Sequence, residues 1–266
     1  MKHIVITGGT RGIGYGLVRE FLKRDFNVTF CGSSDNTVID AMSGLEEEWP
    51  AKRFRGVVCD VSKSDDLENM WAFSSKIFGK PDIWINNAGI SNPAEKFNEL
   101  DFDLSARIID VNLKGAMYAT KMAFLKMKDS GGGNIYNMGG LGSDGRMVKG
   151  LTPYGTSKRA LQYFTKAFSK EISSNEGVRL GLLIPGMVLT DMLLDPLRNG
   201  TGDTRKLKRL YNMLADEVEP VCSVLAEKIV SNNKNGAVLS YTGSLKMFLR
   251  IPGRLLSRRD IVSGKL

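Results

Sequence analysis

Short apolar runs alternate with stretches of helical periodicity along almost the whole 266-residue chain, and that alternation most constrains its fold. "HIVIT" is an apolar run ending in glycines, after which Tyr15, Val18, Phe21 and Leu22 return at helical spacing. "NVTFCG" reads as a second strand, "VIDAMSGLEEEW" as a helix and "FRGVVCDV" as a third strand. "SDDLENMWAFSSKIF" opens on an N-cap serine, Ser64, with an acidic first turn, the chemistry of a helix start. "DIWINNAG" is a fourth strand, one long helix covers about Phe102 to Lys128, and "NIYNM" is a fifth strand. A helix from Pro153 to about Ser174 leads to "VRLGLLIPG", and a helix near Cys222 to Val230 precedes the last strand, "AVLSY". Buried strands joined through helices make a parallel sheet with right-handed crossovers. The expectation is an α/β fold: one doubly wound parallel sheet with helices on both faces, a single domain over 1–266.

Two segments break the rhythm. From about Thr190 to Glu219 the chain mixes Gly, Pro and charge, as in "DPLRNGTGDTRKLKRLYNM". An insert beside the carboxyl edge of a sheet reads as a lid or substrate loop, here about 190–219. From Lys246 to Leu266 six Lys or Arg face one Asp, a local charge of +5 within an overall +8. This basic tail suits anionic ligands, and "LKMFLRIPGRLLSRR" raises membrane contact as a secondary idea. No aromatics interleave with the bases, so no nucleic-acid partner is expected.

"TGGTRGIG", Thr7 to Gly14, lies at the first strand–helix junction, where a helix start offers unpaired N–H groups and a positive dipole end to phosphate. Gly8 allows a tight turn, Gly12 lets backbone approach a pyrophosphate, and Gly14 lets helix and strand pack closely. Thr7, Gly8, Thr10, Arg11, Gly12, Ile13 and Gly14 are therefore read as a dinucleotide-binding turn of a Rossmann-type sheet. At the end of the second strand, Gly32 and Ser33 stand where an acid would bind a free ribose 2′-hydroxyl and repel a 2′-phosphate. Arg11 can neutralise a phosphate instead, so NADP(H) is favoured over NAD(H), with Asp35 as the counter-argument. Asp60 and Val61, closing the third strand, are placed to meet the adenine ring.

Tyr154 and Lys158 stand at i and i+4 on one helix face, about 5–6 Å apart at Cβ. A free phenol titrates near ~10, and a neighbouring ammonium is expected to lower that value. The tyrosine then donates a proton to a carbonyl receiving hydride, or takes it back.

Taken together these features resemble the short-chain dehydrogenase/reductase family, over nearly the whole chain. Thr7–Gly14 is similar to its cofactor turn, and "NNAG" (Asn86 to Gly89) to its fourth-strand motif. Asn112 in "DVNLKG" is similar to its helix asparagine, and "PGMVLT" (Pro185 to Thr190) to its P-G-x-V-x-T segment. The resemblance implies Tyr154 as general acid or base and Lys158 as ribose ligand. It makes Asn112 the holder of a relay water, and Asn87, Ala88, Gly89, Pro185, Gly186, Val188 and Thr190 cofactor contacts. It also implies a homodimer or homotetramer. The family's substrate-polarising serine, about thirteen residues before the tyrosine, is absent: Gly139, Gly140 and Leu141 stand there. Ser143 in its Gly-flanked loop is one replacement, backbone N–H groups of the glycine run are another, and a non-catalytic NADP(H)-sensing or interaction protein is the third reading. "NMGGLGSDGR", "YGTSKR" and "YTGSLKMFLR" resemble the chlorophyll(ide) b reductase branch, which reduces a ring formyl group. An NAD(P)H-dependent reductase of a hydrophobic aldehyde or ketone is thus the leading expectation. Cys31, Cys59 and Cys222 lack metal-type spacing, so no metal is expected. The absence of a signal-peptide pattern in "MKHIVITGG" and of any ~20-residue apolar run points to a cytoplasmic setting.

Overall fold

A computed structural model describes residues 1–200, 203–241 and 259–265. The described residues form seven parallel strands, β1 (His3–Ile6), β2 (Asn27–Gly32), β3 (Phe54–Val58), β4 (Ile83–Asn86), β5 (Gly133–Met138), β6 (Val178–Ile184) and β7 (Val238–Ser240). They lie in the order β3-β2-β1-β4-β5-β6-β7. The order reverses between β1 and β4, and that switch opens the crevice in which ligands of such sheets bind.

Alternation along each strand sends successive side chains to opposite layers. Ile4, Ile6, Val28, Phe30, Ile83 and Ile85 pack with Leu17, Phe21 and Leu22 of α1 (Gly12–Lys23) and with Val221, Leu225 and Ile229 of α9 (Val218–Ser231). Val5, Cys31, Trp84 and Ile135 pack on the other face with Leu67, Met70 and Trp71 of α3 (Ser64–Phe78), and with Met122, Ala123 and Met127 of α5 (Ala116–Asp129). Burying each such side chain contributes about 1.5–3 kcal/mol, so both layers are held by ordinary core packing. Helix α2 (Asp35–Glu46) follows β2, and α6 (Thr152–Glu171) lies between β5 and β6.

Three expectations are corrected. The single helix over Phe102 to Lys128 is instead α4 (Phe102–Ile109), a π-turn over Asp110–Gly115, and α5. Tertiary contacts cause the break: Asn112 bonds to Ile90, and a methyl on Gly115 would lie 2.4 Å from Val61 O. Such π-turns recur at functional sites. Ser64 is inside α3 and caps nothing, whereas Asp66 accepts the Asp60 N–H at 2.9 Å. The helix placed near Cys222 begins at Val218.

The insert holds α7 (Asp191–Arg198) and α8 (Thr204–Leu214), rooted where Val188 bridges Asp216. Residues 246–258 and 266 of the basic tail, and with them nearly all of "LKMFLRIPGRLLSRR", lie outside the described residues. Among the described residues no helix is long and apolar enough to cross a membrane.

Candidate active site

The glycine turn is shaped from below by β4. Thr7 is buried, and its hydroxyl accepts the N–H groups of Asn87 and Ala88 at 3.0 and 3.1 Å. Asn87 Nδ2 donates back to Thr7 O and Gly8 O, at 3.0 and 2.9 Å. The side chains of Thr7 and Asn87, expected at the cofactor, are engaged in holding the turn. Gly12 has φ +54, and a methyl on Gly14 would lie 2.0 Å from Gly8 O, so neither position accepts another residue without distortion. Thr10 packs its methyl on Gly32, and half-buried Ile13 accepts the Cys222 S–H at 3.4 Å.

Helix α1 begins with no capping side chain and no acid in its first turn, which leaves its leading N–H groups available to an anion. Arg11, its N-cap residue, is exposed and has no ion-pair partner among the described residues. This donor set fits a dinucleotide pyrophosphate. Ser33 is exposed at the end of β2, and Asp35 sits one turn on, in the start of α2. Asp60 accepts from Ser62 Oγ at 2.7 Å and pairs with Arg107 at 2.9 Å, while buried Val61 turns its carbonyl to Gly115. Pro185 and Val188 are buried and Gly186 exposed. Thr190 brings its methyl within 3.1 Å of a Cβ position on Gly12, so the segment after β6 closes on the glycine turn.

A buried polar ladder sets α6 on the sheet: Asn86 Nδ2 donates to Asn137 Oδ1 at 2.8 Å, and Asn137 Nδ2 to Thr165 Oγ1 at 2.9 Å. From α6, Lys158 reaches inward, 4% exposed, and its Nζ donates to Met138 O at 3.0 Å. That nitrogen lies 5.8 Å from the Tyr154 ring centroid. The Tyr154 hydroxyl has no hydrogen-bond partner among the described residues, and it stands 2.5 Å from where a Cβ on Gly140 would be. Burial pushes the Tyr154 phenol up to about 12 and the Lys158 amine down to about 8. The expected lowering of the phenol by its cation is therefore corrected: loss of hydration around the phenolate outweighs an amine that itself gives up its proton more easily.

Asn112, in the π-turn, is buried with both side-chain atoms engaged. Its Oδ1 accepts the Ile90 N–H at 2.8 Å, and its Nδ2 donates to Ile90 O at 2.9 Å and Ser157 Oγ at 3.1 Å. A methyl on Gly89 would meet Asn112 Oδ1 at 3.1 Å and Lys158 Nζ at 3.5 Å, so these groups converge on one small space.

Ser143 is buried and its hydroxyl is also engaged: it accepts the Gly140 N–H at 2.9 Å and donates to Lys158 O at 3.3 Å. The turn is closed by Ser143 N donating to Gly140 O at 3.0 Å. Among the described residues, the N–H groups of Leu141 and Gly142 in this turn have no bonded acceptor. Sequence reading missed the Met138 carbonyl, a backbone partner that no residue type announces, and Ser157, whose i+3 spacing from Tyr154 was the available signal.

Residues 2–198 match the family described as short chain dehydrogenase. Chlorophyll(ide) b reductase NOL of Oryza sativa subsp. japonica is 33% identical over 261 residues, covering 95% of this chain and 75% of that protein. Its Arabidopsis thaliana counterpart is 35% identical, with 95% and 73% covered. The crystal structure of levodione reductase superposes with a TM-score of 0.81 over 92% of this chain and 97% of that one, at 19% identity, a likeness of fold. Both plant relatives are chloroplastic by name, which overturns the cytoplasmic expectation. The chain belongs to the short-chain dehydrogenase/reductase family as an NAD(P)(H)-dependent oxidoreductase, and resembles its chlorophyll(ide) b reductase branch along nearly its full length.

Proposed function

We propose that the chain reduces the formyl or keto group of a bulky apolar substrate, in the manner that the names of its plant relatives describe, and prefers NADPH. The observation that carries this reading is the Tyr154 hydroxyl, without a partner among the described residues, beside buried Lys158 and with bare Gly140 in front of it. When bound, NADPH supplies the hydride. Tyr154 gives its proton to the carbonyl oxygen, and a phenol pushed up to about 12 by burial carries that proton throughout the neutral range. Lys158 holds the ribose hydroxyls and returns the proton, and Asn112 braces the Ile90 loop against α6 around that amine. With Ser143 engaged, the free N–H groups of Leu141 and Gly142 take over polarisation of the carbonyl. Asn87, Ala88, Gly89, Pro185, Gly186, Val188 and Thr190 form the walls of the nicotinamide end, and α7 with α8 is the lid. The engaged Ser143 hydroxyl is the one feature on the side of the non-catalytic alternative, and against it stands the Tyr154 phenol, for which a pure binder has no need.

The preference for NADPH rests on Arg11, which has no ion-pair partner among the described residues, and on Gly32 and Ser33 in place of an acid. With purified protein and a panel of bulky formyl compounds, kcat/KM with NADPH should exceed that with NADH at least about tenfold, the worth of one charge-assisted phosphate contact. Arg11→Ala should remove that ratio by raising KM for NADPH alone. No oxidation of either cofactor across the panel would end the catalytic reading.

A groove of about 1260 Å³ runs along α6, lined by Tyr163, Phe164 and Phe168 of that helix together with Leu113, Met117 and Met147. Met147 is 98% and Tyr163 76% exposed. Apolar surface of this kind marks an association face, and a second copy of the chain is its occupant in this reading. Light scattering should give a dimer or tetramer, and Tyr163→Glu should shift the mass toward the monomer.

A further inference from the structure

We infer that residues 259–265 are a strap that positions the lid for substrate, acting through Arg259, Asn212 and Val262. This rests on the lid reading of α7 and α8 given above. The last carbonyls of a helix have no partners within it. At the end of α8, Arg259 Nη1 donates to Ala215 O at 2.9 Å and to Asn212 O at 3.5 Å, capping the helix with a cation. The same guanidinium lies 3.5 Å from Asp216, whose backbone forms the lid's root by exchanging bonds with Met187 O and Leu189 N, each at 2.9 Å. Asn212 Oδ1 accepts the N–H groups of Ile261 and Val262 at 3.0 and 3.2 Å. Val262 is fully buried with Leu189, Leu194, Tyr211 and Ala215, in a cluster separate from the two that flank the sheet. Arg198 Nη2, at the end of α7, donates to Lys265 O at 2.9 Å.

Each of the surface ion pairs here contributes at most about 1 kcal/mol. The hold comes from Val262, whose side chain bridges both lid helices, and from the amide bonds to Asn212. Among the described residues, nothing in the strap bonds to α6, where Tyr154 and Lys158 stand. Loosening it therefore affects capture of the substrate more than the chemical step.

The test uses the full chain carrying Val262→Asp, Arg259→Ala or, as the conservative control, Val262→Ile. Expected for the first two are a rise in KM for the carbonyl substrate of about tenfold with kcat within about threefold. NADPH affinity should stay unchanged, and trypsin should cleave faster at Arg205, Lys206, Lys208 or Arg209 of α8. Val262→Ile should behave as wild type. Faster cleavage with an unchanged KM would overturn the positioning role, and unchanged cleavage would overturn the strap. If the wild type reduces nothing in the panel, the proposed function fails, and cleavage rates with NADPH bound still decide the strap.

Discussion

Tyr154→Phe lowers kcat by about 10³-fold or more while leaving NADPH affinity and melting temperature where they were. A loss of that size is about 4 kcal/mol of transition-state stabilisation, which one positioned proton donor supplies. The stability half of the expectation follows from the geometry. The hydroxyl removed has no hydrogen-bond partner among the described residues, so its loss leaves no orphaned group, and the phenyl ring still fills the space beside Lys158. Ser143→Ala should do the opposite. It strips the Gly140 N–H of its acceptor and Lys158 O of a donor, which costs about 1–3 kcal/mol of stability. It should slow turnover only about tenfold, through a loosened turn, and Ser143→Thr should restore both quantities. Thermal melts and steady-state rates on the three variants check this. A Tyr154→Phe enzyme that turns over normally removes the mechanism, and a Ser143→Ala enzyme as inactive as Tyr154→Phe but fully stable returns the serine to the carbonyl.

The strands were legible because a parallel sheet buries both faces of each one, so apolar runs such as "HIVIT" and "DIWIN" announce themselves without tertiary information. The π-turn was not, because Asn112 and Gly115 keep the helical period and break the helix through contacts with Ile90 and Val61, residues brought there only by folding. The site shows the same division. Tyr154 and Lys158 share a helix, so their spacing alone placed them together. Ser143 could be placed near them by counting, yet the direction of its hydroxyl depends on the Gly140 and Lys158 backbones. The sign of the phenol's shift also escaped, since sequence gives the separation of the charges and not the depth at which they are buried. Arg259 and Asn212 are 47 residues apart, and no periodicity links a tail to the helix it caps.

Lys158→Met should give a protein that is more stable at neutral pH and nearly inactive. The amine, buried to 4% exposure, titrates at about 8 in the folded chain against 10.5 when free. Below pH 8 both states carry the proton, and the fold bears the full cost of an interior cation, roughly 3 kcal/mol for that gap. Between about 8 and 10.5 the folded state sheds the proton first, so this contribution to stability rises with pH. The variant lacks the cation but leaves Met138 O without its donor, a loss of about 1–2 kcal/mol. At pH 7 it should therefore melt a few degrees higher than wild type, and the gap should close as the pH approaches 10.5. Catalysis runs the other way. Carbonyl reduction takes up a proton in each turnover, so wild-type kcat/KM should fall about tenfold per pH unit above about 8, as Lys158 loses its charge. Tyr154, pushed up to about 12, stays protonated across that range and adds no second inflection. In Lys158→Met the rate should be lower by about 10²-fold or more and flat across the same range. A wild-type profile flat from pH 7 to 10, or the same inflection surviving in the variant, would take the proton relay away from Lys158.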